Sequence, residues 1–211
     1  MILNHGRFFQ RCILFLLGLS LVALGTALII KADLGSPPVS VIPYVASLGF
    51  TPTVGVFTIL LNVIFVAMQA AILRRKFSRT QAMQIPVDFL FGFILDFWMA
   101  LAPVPNLMSY LHQWLVLISG STVMAFGIFM LINANVLVTA GEGVVLALSL
   151  AANKEFGLVK ITFDVVLIII GGLLSFAMLS EIKGVREGTI VSAVLVGFFV
   201  KIFYSIKHRL E

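Results

Sequence analysis

Apolar residues fill this chain in long runs separated by short polar breaks. A helix needs about 20 mainly apolar residues to cross roughly 30 Å of hydrocarbon, and six stretches qualify, at about 12–31, 53–73, 83–103, 111–132, 158–178 and 188–206. Two more, Val39 to Leu48 and Val144 to Ala151, are near ten residues long, too short to span at about 1.5 Å per residue. They are re-entrant candidates. The run at 12–31 is too long for a signal peptide and is followed by Lys31 and Asp33 rather than a small-residue cleavage site, so it is expected to be retained. The pattern predicts an all-α integral membrane protein with six transmembrane helices.

Composition agrees. Of 211 residues, 61% are hydrophobic and 11% charged, with a mean hydropathy of +1.14. A soluble domain of this size carries about a quarter charged residues. The net charge of +5 does not point to nucleic acid, because the basic residues sit in clusters between apolar runs rather than along one face. Those clusters orient the chain. With six crossings and the N-terminus inside, ten basic residues fall inside: Arg7, Arg11, the cluster Arg74, Arg75, Lys76 and Arg79, then Lys154, Lys160, Lys207 and Arg209. Lys31, Lys183 and Arg186 fall outside, and Lys201 lies within the last helix. Basic loops favour the cytoplasm, so both termini are expected there, in the cell membrane, with Asn106 outside. One cysteine, Cys12, excludes an internal disulfide, and His5, His112 and His208 lie near the ends of apolar runs, which argues against a metal site. No phosphate loop or nucleophile with its base is visible, so neither an enzyme nor a cofactor is expected.

The chain also resembles itself. A shift of 102 residues pairs Gly18, Ala23, Gly25, Ile30, Ala32 and Ser47 with Gly120, Ala125, Gly127, Ile132, Ala134 and Ser149, without a gap. The break Lys31-Ala32-Asp33 falls on Asn133-Ala134-Asn135, and each is followed by a short apolar stretch ending in serine. At a shift of 105, Leu90, Gly92 and Phe93 meet Leu195, Gly197 and Phe198. Two three-helix halves follow, 1–106 with a re-entrant segment near 32–48 and 107–211 with one near 133–151. Three crossings per half make the repeat inverted, as in many transporters. Non-helical backbone at membrane depth must be buried in protein or line a watery cavity, so the short segments mark the expected pathway.

Ala32-Asp33-Leu34-Gly35 with Pro38, Val41 and Ser47, then Ala134-Asn135, Gly141-Glu142-Gly143 and Leu146-Ala147-Leu148-Ser149, resemble the YczE/YyaS/YitT family of bacterial integral membrane proteins. The closing Gly188-Thr189-Ile190-Val191-Ser192-Ala193 and Gly197 resemble it too. The resemblance implies an integral membrane fold and transport of an unspecified substrate. In that family each short segment tends to carry an acid just after a proline; here Ser40 and Glu142 stand at those positions and Ala140 replaces the second proline.

Glu142, expected at the start of a short helix, reads either as a buried carboxylate binding a cation or proton, or as an acid favoured by the helix N-terminus. Asp33 is either its polar counterpart in the first half or an interfacial loop residue. With Ser36, Ser40, Asn133, Asn135 and Thr139 these form the candidate substrate-binding set. Asp96 and Lys201 fall at matched places in the third and sixth helices, so they are either a gating charge pair or two residues reaching separate interfaces. Lys160 and Asp164 are spaced for a local pair, and Asp88 reads as an interface anchor beside the basic cluster. Gly18, Ala23, Gly25, Ala27, Gly120, Ala125 and Gly127 predict close packing of the first and fourth spans. Pro37, Pro38 and Pro43 predict a bent start to the first short segment.

The expected function is movement of a small polar or anionic solute, or an ion, through a site between the short segments, with the bilayer as the other partner. Self-association as a homo-oligomer stays open. Two rivals remain. Six helices in about 200 residues also resemble the substrate-binding S-components of energy-coupling-factor importers, with Ala23 and Ala27 on a docking face; the other rival is an accessory membrane protein without transport activity.

Overall fold

The computed structural model describes residues 5–102 and 109–210, with side chains from Phe8 to Ala102 and from Ser109 to His208. Asn106, at the expected junction of two halves, and the side chains of His5, Arg7 and Arg209 lie outside the described residues. The described chain is helical throughout: α1 (His5–Lys31), a 3-10 turn (Pro38–Ser40) running into α2 (Val41–Gly49), α3 (Val54–Leu73), a second 3-10 turn (Arg74–Lys76), the one-turn α4 (Arg79–Ala82), α5 (Gln84–Leu101), α6 (Tyr110–Ala134), α7 (Ala140–Ala152), α8 (Phe156–Leu179) and α9 (Glu187–Leu210). Six segments are long and apolar enough to cross a membrane: α1, α3, α4 with α5, α6, α8 and α9. They match the six expected stretches to within a few residues, apart from α1, which starts earlier. Pro38–Gly49 and Ala140–Ala152 are the shorter apolar helices. Leu17, Phe93, Leu173 and Phe176 stand more than half exposed, as residues facing lipid do.

The polar breaks end helices by a shared device. Asp33 (φ 57°) follows α1 and Asn135 (φ 48°) follows α6, each in the left-handed region that Asp and Asn tolerate best after glycine. Beyond Asp33, Pro37 and Pro38 forbid an immediate return to α-helix, and Pro38 opens the 3-10 turn where its missing N–H costs nothing. Thr53 and Thr139 cap α3 and α7, their hydroxyls accepting from Val56 N (3.3 Å) and Glu142 N (3.5 Å). Ser78 and Gln81 form a capping box around the turn after the basic cluster.

Lipid tails are as apolar as leucine, so helices here gain from close approach rather than from escaping water. The spine is α1 against α6, crossing at glycines. A Cβ on Gly25 would stand 2.7 Å from Gly120 O, and one on Gly127 would stand 2.8 Å from Gly18 O. Ala23, Ala27 and Leu95 are buried where α5 joins this pair, and Phe15, Leu19 and Leu131 where α1 and α6 run on. The four glycines expected to pack the first and fourth spans do so. Around the spine, α3 lies on α5 and α7, α2 on α8 and α3, and α9 on α6. The two short helices thus sit between α3 and α8, with Phe65, Val66, Val144, Val145 and Leu167 in one buried cluster.

Candidate functional site

The N-terminal turns of the two short helices meet. A Cβ on Gly141 would stand 3.6 Å from Val39 Cγ1, so the residues before Ser40 and Glu142 are in contact. Ser40 and Glu142 are both half-buried, and neither side chain hydrogen-bonds to another described residue. The α7 N-terminus is capped by Thr139, so the Glu142 carboxylate is not engaged in capping. On α8, Lys160 is paired with Asp164 at 2.5 Å as the spacing predicted.

Beside this junction runs a polar seam that the sequence reading undervalued. Gln69 on α3 donates to Gln84 Oε1 on α5 (2.9 Å) and to Ala140 O, the first carbonyl of α7 (3.2 Å). Two turns away, Asn62 Nδ2 donates to Asp88 Oδ1 (3.0 Å). Asp88 is 4% exposed, so it is no interface anchor. It lies on the α5 face shared with Gln84 and Gly92, which is buried on α3. Among the described residues Asp88 Oδ2 and Gln69 Oε1 are buried acceptors without a donor, and each such group costs about 1–3 kcal/mol. Gly143 lets α7 reach the seam, since a Cβ there would stand 2.6 Å from Gln69 Oε1. The signal was present in the sequence as Gln84, Asp88, Gly92 and Asp96, one every fourth residue along a helix.

The other predicted residues are placed elsewhere. Ser36 is buried, its hydroxyl donating to Gly184 O (3.0 Å) and its N–H reaching Gly184 O (3.0 Å) and Thr189 Oγ1 (3.3 Å). Asp33 lines a polar cavity of about 290 Å³ with Tyr44, Glu181, Lys183 and Arg186. Arg186 Nη1 donates to the Asp33 carbonyl (2.6 Å), and Lys183 pairs with Glu181 (2.6 Å), a hydrogen bond that raises the lysine pKa. At the opposite break Arg11 donates to Ala134 O (2.7 Å) and Asn135 O (2.6 Å), and Lys207 donates to Asn133 Oδ1 (2.6 Å). These contacts tie helix ends together. Asp96 and Lys201 do not meet: Asp96 accepts from Gly55 N (2.8 Å) and Thr53 Oγ1 (2.6 Å) at the start of α3. Ala23 and Ala27, read from sequence as part of a docking face, are wholly buried.

A family model, "Family of unknown function (DUF6198)", matches residues 9–205. The chain belongs to that family. The match runs from the first turns of α1 to the last turns of α9, so the junction and the seam of this DUF6198 protein lie inside it. It does not name the YczE/YyaS/YitT family that the motifs resemble. No curated protein and no solved structure matches the chain.

Proposed function

We propose that this protein is a carrier of the cytoplasmic membrane that moves a small polar or anionic solute, or an ion, with both termini in the cytoplasm. Its halves are inverted repeats, and α2 and α7 are re-entrant helices whose tips hold the solute near the membrane centre. The observation that carries this reading is the approach of Val39 to Gly141, the residues just before Ser40 and Glu142, in the first turns of two helices too short to span. Contacts that exchange under the 102-residue shift support the repeat. Gly18 against Gly127 becomes Gly120 against Gly25, and both are present. Gly143 against Gln69 becomes Val41 against Gly171, tight in both cases. Asp33 and Asn135, one shift apart, are both left-handed caps whose carbonyls accept from an arginine.

The backbone N–H groups of an α7 first turn bearing Gly141 and Gly143 suit an anionic group. Glu142 supplies the charge for a coupled cation or proton, and Asp88, buried with one amide donor, is a second group suited to carrying a proton. To test the function, the purified protein is melted in the presence of small carboxylates, phosphates, amino acids and monovalent cations, and each stabilising solute is assayed for uptake into proteoliposomes. A solute that binds the folded state raises the melting temperature, and by this reading at least one such solute enters the vesicles. Stabilisation by none, or stabilisation without flux, overturns the carrier.

Orientation is tested separately in a Cys12→Ser background. Thr80→Cys, next to the basic cluster, should react with an impermeant thiol reagent from the cytoplasmic side only, and Ile182→Cys, in the exposed α8–α9 loop, from the opposite side only. Labelling of both from one side would remove the six crossings and the inversion together.

A further inference from the structure

The two halves differ at one seam. In the first, α3 and α5 pack closely where Gly55 faces Gly92: a Cβ on Gly92 would stand 2.8 Å from Gly55 O and 2.5 Å from Ile59 Cγ1. Asp96 on α5 fastens that seam through Thr53 and Gly55. The repeat shifts carry Gly55 to Gly157 on α8 and Gly92 to Gly197 on α9. Neither of these glycines has anything within 4 Å of where a Cβ would be. Ile59 is 8% exposed, while its counterpart Ile161 is 65% exposed. Although α8 and α9 are consecutive and joined by a short loop, they are not among the packed helix pairs, and α9 rests on α6 instead.

The same shifts carry Thr53 to Glu155 and Asp96 to Lys201. Glu155 is the N-cap residue of α8 but its side chain makes no capping hydrogen bond, and Lys201 lies in an apolar span. Both are exposed, and neither makes a side-chain hydrogen bond or ion pair among the described residues. A cation in a transmembrane helix is expensive unless it meets an opposite charge or water. The position that corresponds to the partner of Asp96 carries that opposite charge.

We propose that α8 and α9 form a gate, which closes by seating Gly157 on Gly197 and pairing Glu155 with Lys201. The closed seam buries Ile161 as Ile59 is buried on α3, and the ion pair takes the place held by the Thr53–Asp96 hydrogen bond. Glycine on both faces lets the backbones meet without side chains intervening, as they do at Gly55 and Gly92. The structure is thus asymmetric, with the seam beside Thr53 shut and the seam beside Glu155 open, the arrangement expected of a two-state element that admits a solute from one side at a time. This inference rests on the inverted-repeat reading but not on transport, and it needs no solute to test.

In a Cys12→Ser background, Glu155→Cys and Lys201→Cys are combined and the purified protein in lipid nanodiscs is mildly oxidised. The expected product is an intramolecular disulfide, read from the intact mass and gel mobility. Adding Gly157→Leu or Gly197→Leu, each filling space that is open here, should cut its yield about tenfold or more while leaving the melting temperature unchanged. No disulfide, a disulfide between two chains, or a yield indifferent to the leucines overturns the gate. Failure here with the labelling of Thr80→Cys and Ile182→Cys as expected removes the gate alone, whereas failure of the labelling removes the repeat on which it rests.

Discussion

Valine in place of Gly25 should unfold the protein in detergent at temperatures where the parent is stable, and alanine there should already lower the melting temperature clearly. The atoms a Cβ would meet are backbone or fixed to it: Met124 N at 2.5 Å, Met124 Cβ at 2.6 Å and Gly120 O at 2.7 Å. Side chains can rotate away from an intruder, but two helix backbones can only separate. Overpacking by one methyl typically costs about 1–3 kcal/mol, and with backbone on the other side the upper end applies. Separating α1 from α6 also loosens the buried Ala23, Thr26 and Ala27 on the same helix. The matched control is Gly157→Ala, where nothing lies within 4 Å. Its expected change is close to zero or slightly stabilising, because alanine is the better helix former by up to about 1 kcal/mol. Thermal melting of the two variants in one detergent decides the matter, and equal melting temperatures would remove the α1–α6 crossing as the main source of stability.

The spans were legible because a bilayer sets one length, and the runs meet it almost residue by residue. The polar breaks were legible as breaks but not as what they became. Asp33 and Asn135 read as candidate substrate residues at matched breaks, Asp33 alternatively as an interfacial loop residue, and the structure adds what neither reading held: both take the left-handed backbone and offer their carbonyls to Arg186 and Arg11. Those partners lie 153 and 124 residues away, beyond any local pattern. Asp88 was hidden for a different reason. The stripe Gln84, Asp88, Gly92 and Asp96 marks one face of α5, but a charge near a helix end and close to a basic cluster reads as interfacial until Asn62 on another helix is known to face it. Lys160 with Asp164 was legible because both residues sit on one helix, and i, i+4 geometry needs no tertiary information. The shifts of 102 and 105 residues pair α3 and α5 with α8 and α9, and only the structure says that the first two pack closely while the second two do not.

Glu142→Gln should abolish coupled uptake while leaving the melting temperature within experimental scatter of the parent. The stability half follows from the cap. Thr139 already supplies the acceptor at the α7 N-terminus, so the carboxylate contributes at most the interaction of a charge with the helix dipole, about 0.3–1 kcal/mol. Half-burial costs the charge part of its hydration and offsets that gain. Thr139→Ala is the converse variant: it removes the cap and should cost about 0.5–2 kcal/mol of stability with the Glu142 carboxylate still in place. The activity half follows from charge. Glutamine keeps the shape and a hydrogen-bonding oxygen but can neither bind a proton nor attract a cation, so a carrier coupled through this residue stops, whereas a structural acid would be replaced almost silently. Uptake and melting measured on the same two purified variants therefore separate the roles. If Glu142→Gln transports normally, Glu142 leaves the site and Asp88, the buried acid of the polar seam, becomes the residue to substitute.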